Sequence, residues 1–166
     1  MTFADLAAGD AVFIDANILT YHFEPHPRWG PACTQLLLRI ESGQLMGYIT
    51  SHVVSEVPHR LMTIEAHKVL GWQLAGIGNR LRTNPADVRK LSLFRTAVEN
   101  LLHGRLHVLT VTPAHLAAGV ALSQQIGLLT NDALIVAVMQ ANGLDKLASN
   151  DTDFDRVPGI TRYAPA

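Results

Sequence analysis

A chain of 166 residues with one cysteine, Cys33, can close no internal disulfide and can build no thiolate cluster around zinc. That cysteine usage suits a reducing compartment, and a cytoplasmic location is expected. The first residues, "MTFADLAAGD", lack a basic start and a long apolar stretch, so they do not read as a signal peptide. No run reaches the roughly 18–20 apolar residues that a membrane helix needs, and no membrane partner is expected. Charge of one sign is also missing: 13 Lys and Arg stand against 14 Asp and Glu, a formal net charge of −1. A uniformly basic nucleic-acid-binding chain is thereby excluded. No internal repeat and no low-complexity linker divides residues 1–166, so one domain is expected.

What is present is 48% hydrophobic residues with 16% charged, an ordinary balance for a chain that buries a sizeable core. The even charge total hides two local biases. Between Arg80 and Arg105 stand Arg80, Arg82, Arg89, Lys90, Arg95 and Arg105, against only Asp87 and Glu99. Near the C-terminus the bias reverses, with Asp145, Asp151, Asp153 and Asp155 close together.

Short apolar runs alternate with helical patterns. "AVFI" at 11–14, "LMGYIT" at 45–50, "LHVLTV" at 106–111, "KLAS" at 146–149 and "ITRY" at 160–163 read as strands. Helices are expected over about 17–23, over 29–42 with Gly43 as stop, and from Ser51 through "HVVSEVPHRLMTIEAHKV", where Pro58 either kinks the helix or lies near its first turn. Residues 71–84 give no clear signal, weakened as they are by Gly71, Gly76 and Gly78. Asn84-Pro85 then opens a helix expected to run to about Gly104, and Thr112-Pro113 opens another to about Gln125. Strand alternating with helix is the pattern of an α/β fold, with a short, mostly parallel central sheet and helices on both faces.

The remaining helix, Asn131 to Asn142, poses the functional question. In "TNDALIVAVM" every residue from Ala133 to Met139 is apolar, so the helix is buried all round, and Asp132 is held where the core ends. Asp15 directly follows the first strand, Asp151 nearly follows the fourth, and Glu56 lies about one turn into the helix after the second. Ligands of such sheets sit beyond the carboxyl ends of the strands. Four carboxylates distant in sequence thus have a reason to meet at one rim. Gathered there they repel one another unless a cation sits among them, and oxygen-only ligands suit Mg²⁺ or Mn²⁺. Each acid also has a plainer reading. Asp15 suits a turn, Asp132 suits a helix N-terminus, Glu56 has Arg60 four residues on, and Asp151, Asp153 and Asp155 suit a solvated loop.

"VFIDANILTYHF", "SEV" and "LLTNDALIVAVMQANGLDKLASNDTDFDRV", taken in order, resemble the PIN domain, and most closely the VapC-type ribonuclease toxins. The last block is the most specific and "SEV" the least. The resemblance implies a three-layer PIN-like fold, a Mg²⁺- or Mn²⁺-binding acidic pocket and metal-dependent RNA cleavage. Carried over residue by residue, Asp15 and Asp132 are the central metal ligands and catalytic residues, and Glu56 completes the first metal site or orients its water. Asp151 is the fourth acid, with Asp153 the other claimant. Asn17, Ser149 and Asn150 line the pocket. The implied partners are an RNA substrate, a cognate antitoxin and a second copy of the chain in a homodimer. The chain is longer than a typical toxin of this type, and the excess lies between Glu56 and the third strand. Arg82, Arg89, Lys90 and Arg95 gather there, either to meet RNA phosphates or as a solvated helix face. Two other readings stand beside the nuclease. One is a non-catalytic PIN-like module that binds RNA or protein. The other is a phosphotransferase of the haloacid-dehalogenase type with Asp15 as nucleophile, which would want a second aspartate where this chain has Asn17.

Overall fold

Five short strands form one sheet in which every neighbouring pair runs parallel, in a computed structural model that describes residues 1–166. The strands are β1 (Ala11–Ile14), β2 (Met46–Thr50), β3 (His107–Leu109), β4 (Lys146–Ala148) and β5 (Thr161–Tyr163), in the spatial order β3-β2-β1-β4-β5. Val12, Phe13 and Ile14 of the central strand are fully buried, as a parallel sheet covered on both faces requires. Phe13 pairs with Tyr48 of β2 on one side and with Leu147 of β4 on the other.

Eight helices supply the two outer layers. They are α1 (Ala16–Phe23), α2 (Gly30–Glu41), α3 (Ser51–Leu70), α4 (Ile77–Thr83), α5 (Pro85–Val88), α6 (Leu93–His103), α7 (Pro113–Ile126) and α8 (Thr130–Ala141). From β1 to β2 to β3 the chain steps one way across the sheet; from β3 it crosses back to β4 and continues to β5. Right-handed crossovers therefore put the first six helices on one face and α7 with α8 on the other. The contacts agree, since α1 packs on α2 and α3, α3 on α6, and α7 on α8. The direction reverses between β1 and β4, and that reversal leaves a crevice at the carboxyl ends of those two strands. A core of 30 buried residues fills the layers, including all of Ala133, Ile135, Val136 and Met139 from α8.

Two elements differ from the pattern in the sequence. The single helix expected from Pro85 to Gly104 is two helices, broken at residues 89–92. The break has a physical cause in α3. The buried Glu65 carboxylate accepts the Ser92 backbone N–H at 2.9 Å (Oε1) and 3.2 Å (Oε2), and the Leu93 N–H at 3.0 Å. Those amides then begin a new helix rather than continue an old one. The segment without a clear signal, 71–84, contains α4. This helix packs Ile77 and Leu81 with Ala66 and Leu91 into a second, four-residue core. Pro58 lies inside α3, which continues past it to Leu70.

Removing the Glu65 carboxylate leaves two amides at the start of α6 without their partner, at a cost of about 2 kcal/mol. Glu65→Ala is expected to lower the melting temperature by roughly 4–8 °C in calorimetry. An unchanged transition would mean that solvent serves those amides equally well.

Candidate active site

The crevice between β1 and β4 collects the side chains that follow each strand. Asp15 is the first residue after β1 and occupies the N-cap position of α1, yet its side chain makes no capping bond. Its Oδ2 instead accepts Asn17 Nδ2 at 2.5 Å and Ser149 Oγ at 2.6 Å. Ser149, fully buried just past β4, also accepts from the Asp151 backbone N–H at 3.0 Å. Asn17 completes the link by accepting the Asn150 backbone N–H at 3.2 Å. These bonds cross from β1 to β4 and lock the two loops together. The turn reading of Asp15 does not account for this arrangement. Asp15 is only 6% exposed, and burial raises its pKa above the ordinary value. The bond from Ser149 and the Arg60 charge pull the other way.

Asp132 stands in the first turn of α8. That helix leads into the start of β4, so its own start lies at the opposite, carboxyl end of the strands. The carboxylate accepts no hydrogen bond from a cap or a neighbour. Burial pushes its pKa up to about 6, and the charges of Asp15, Asp151, Glu56 and Asp153 push in the same direction. Four carboxylates from three other stretches of chain thus act on Asp132 at one rim.

Their individual ties differ. Asp151 accepts the Asp153 backbone N–H at 2.9 Å and so caps the short 3-10 turn Thr152–Arg156. Phe154, fully buried in that turn, anchors the loop in the core. Asp153 turns outward to pair with Arg156. Glu56 is held by Arg60, whose Nε and Nη2 donate to Oε1 at 2.9 and 2.5 Å. On its other side His52 Nε2 lies 3.8 Å from Glu56 Oε2 and is buried without a hydrogen-bond partner. No three of these groups converge closely enough to enclose a cation as they stand. The donor chemistry is nonetheless that of a hard divalent ion: oxygen only, carboxylate-rich, and crowded with like charge.

Beside the acids lies an open recess of about 340 Å³ lined by Asn17, Tyr21, Arg60, Asn150, Asp151 and Thr152. Tyr21 and Thr152 carried no signal in the sequence reading, and Arg60 was legible only as a surface partner of Glu56. One signal was available for Tyr21, because its spacing of four from Asn17 puts both on one face of α1. The four basic residues read either as RNA contacts or as a solvated helix face do not line the recess. Arg82 donates to Asn79, Lys90 pairs with Asp87 and Arg95 with Glu99, while Arg89 is exposed. None of the four contacts an acid of the rim.

An all-parallel α/β sheet with an acid-lined crevice at its switch point defines the class of protein. The sequence matches the PIN domain family over residues 12–160, and the chain belongs to that family. No curated protein sequence matches it. The fold is that of VapC-type toxins. It is similar to VapBC2 of Rickettsia felis, solved bound to a DNA fragment from its promoter (18% identity, TM-score 0.59, covering 93% of this chain and 98% of that one). It is also similar to VapC20 of Mycobacterium tuberculosis, described as a sarcin-ricin loop cleaving toxin (16%, 0.57, 87% and 92%). A third similar structure is a toxin–antitoxin complex from Klebsiella pneumoniae (22%, 0.53, 90% and 95%). Further, no single helix is long and apolar enough to cross a membrane.

The raised pKa of Asp132 has a consequence for stability. Its folded value, about 6, lies above the ordinary 3.8, so the folded chain binds the proton more tightly than the unfolded one. Stability from this group is therefore full below about pH 4 and is lost as pH rises through about 6. Two pH units would represent about 3 kcal/mol for a dry group; partial exposure reduces that to about 1 kcal/mol. Asp132→Asn is expected to raise the melting temperature of the metal-free protein at pH 7.5 by about 2–4 °C and to flatten its pH dependence between 4 and 6. A lower melting temperature would identify Asp132 as a stabilising helix cap.

Proposed function

We propose that this chain is a metal-dependent endoribonuclease, the toxin of a toxin–antitoxin pair, that hydrolyses RNA phosphodiester bonds. The observation that carries the proposal is Asp132: a partly buried carboxylate without a hydrogen bond, facing four other acids. Asp15 and Asp132, with Glu56 and Asp151, are the residues that would hold Mg²⁺ or Mn²⁺. Asp153 is the alternative to Asp151, though its pairing with Arg156 turns it outward. A divalent ion, when bound, supplies water of lowered pKa and steadies the departing oxygen.

The chain's own groups do the rest. Ser149 and Asn17 fix Asp15 by donating to its Oδ2, which keeps one carboxylate oxygen oriented by the protein. Glu56, on the flank of the rim, would take a proton from attacking water through Oε2, the oxygen to which Arg60 does not donate. Asn150 stands at the mouth of the crevice with its amide toward the recess. RNA as substrate, a cognate antitoxin, a homodimer and a cytoplasmic location belong to this same proposal. They are supported by the family and by the toxin–antitoxin assemblies among the similar folds.

One observation favours a second reading, a non-catalytic module that binds RNA or protein. Glu56 is already neutralised by Arg60, and the acids do not close around one point.

Cleavage of a mixed RNA pool by the partner-free protein separates the two. Cleavage is expected with Mn²⁺ or Mg²⁺ and not with chelator. Asp15→Asn is expected to lose at least about 100-fold, since each 1.4 kcal/mol of lost charge stabilisation is about tenfold in rate. A folded protein that takes up no Mn²⁺ and cuts no RNA would establish the module instead.

A further inference from the structure

The recess beside the acids has a chemistry of its own. Arg60 is its one side chain of permanent positive charge, among the amides of Asn17 and Asn150, the hydroxyls of Tyr21 and Thr152, and Asp151 at the edge nearest the acids. A guanidinium carries five N–H donors in a rigid fork. In Arg60 one from Nε and one from Nη2 go to a single oxygen of Glu56, and Nη1 makes no hydrogen bond at all. The bond to Glu56 therefore aims the group and leaves most of its donors unused. Asn150 Nδ2, 3.5 Å from Tyr21 Oη, is poorly engaged for the same purpose.

Resting on the nuclease reading above, we propose that this recess is the subsite for an RNA phosphate next to the scissile bond, with Arg60 as its anion-binding residue. A rim of carboxylates repels a polyanion, so RNA needs a fixed cation within reach of them. Arg60 is the cation that lines the recess; Arg156 is held by Asp153 and Arg162 by Asp155 outside it, and Arg82, Arg89, Lys90 and Arg95 touch none of the acids of the rim. The planar fork suits two phosphate oxygens at once, which a lysine ammonium cannot reproduce. Asn150 and Tyr21 lie where they would bond the same phosphate or the adjoining ribose hydroxyl. Because Arg60 is also tied to Glu56, a phosphate taking up the free Nη1 side of the fork places the substrate one residue's reach from the acids. Arg60 thus recognises and positions the substrate without joining the carboxylates in holding an ion.

The test measures two affinities for the parent, Arg60→Ala and Arg60→Lys. One is for a fluorescently labelled single-stranded RNA pool, read by anisotropy with Ca²⁺ in place of the activating ion across a salt series. The other is for Mn²⁺ alone, read by calorimetry. Arg60→Ala is expected to weaken RNA binding about tenfold and to reduce the slope of log affinity against log salt by about one. Mn²⁺ affinity should not fall, and Arg60→Lys should recover part of the RNA affinity. Unchanged RNA affinity with tighter Mn²⁺ binding would overturn the proposal and leave Arg60 as a counter-ion to Glu56. A parent that binds no RNA would overturn it as well. Cleavage is scored separately. RNA binding that depends on Arg60 without cleavage would sink the nuclease reading and leave the subsite; cleavage with an indifferent Arg60 would do the reverse.

Discussion

Mutual repulsion among carboxylates is the interaction around which this rim is organised. Asp15, Glu56, Asp132, Asp151 and Asp153 come from four separate stretches of chain, and each of the other four raises the cost of ionising Asp132. A fold that sought stability alone would have scattered them. The protein offsets the repulsion locally, and by different means for each acid. Asp15 receives two side-chain hydrogen bonds, Asp151 a backbone amide, Asp153 an arginine and Glu56 another. Asp132 alone receives nothing, and burial together with the neighbouring charges pushes its pKa up to about 6.

The sheet topology makes this convergence inexpensive. Asp15 needs no special loop to reach Ser149, because Ile14 and Ala148 pair directly across β1 and β4. The residues one step beyond each strand are then neighbours by register. α8 adds Asp132 for a similar reason: it must run antiparallel to β4 to feed it, so its start returns to the same end of the sheet. Gly119 of α7 lets α8 come close. A Cβ there would stand 3.1 Å from the Leu134 Cα. The helix that carries Asp132 is thus seated against backbone, with little room to shift.

Much of this was legible in the residues themselves. Val12, Phe13 and Ile14 of "AVFI" and the unbroken apolar stretch of α8 are buried, and such runs announce themselves without tertiary information. The acids could be placed at one rim because each adjoins the end of a strand or the start of a helix. What escaped notice depended on contacts between distant segments. The break before α6 is set by Glu65, some 27 residues earlier in the chain. Arg60 carries two relations at once, one to Glu56 at helical spacing and one to a recess built from α1 and the loop after β4. Only the first is a matter of spacing. Tyr21 is apolar in most of its body and reads as packing until Asn150 is found beside its hydroxyl.

Helices α4 and α5 rest on a hydrophobic cluster separate from the main one, composed of Ala66, Ile77, Leu81 and Leu91, while α6 returns to the main core through Ala97 and Leu101. No acid of the rim belongs to that cluster. That part of the chain is therefore modular: its surface can change without touching a residue that lines the crevice. The exposed faces of α4 and α5 are thus a handle that can be reshaped apart from the blade.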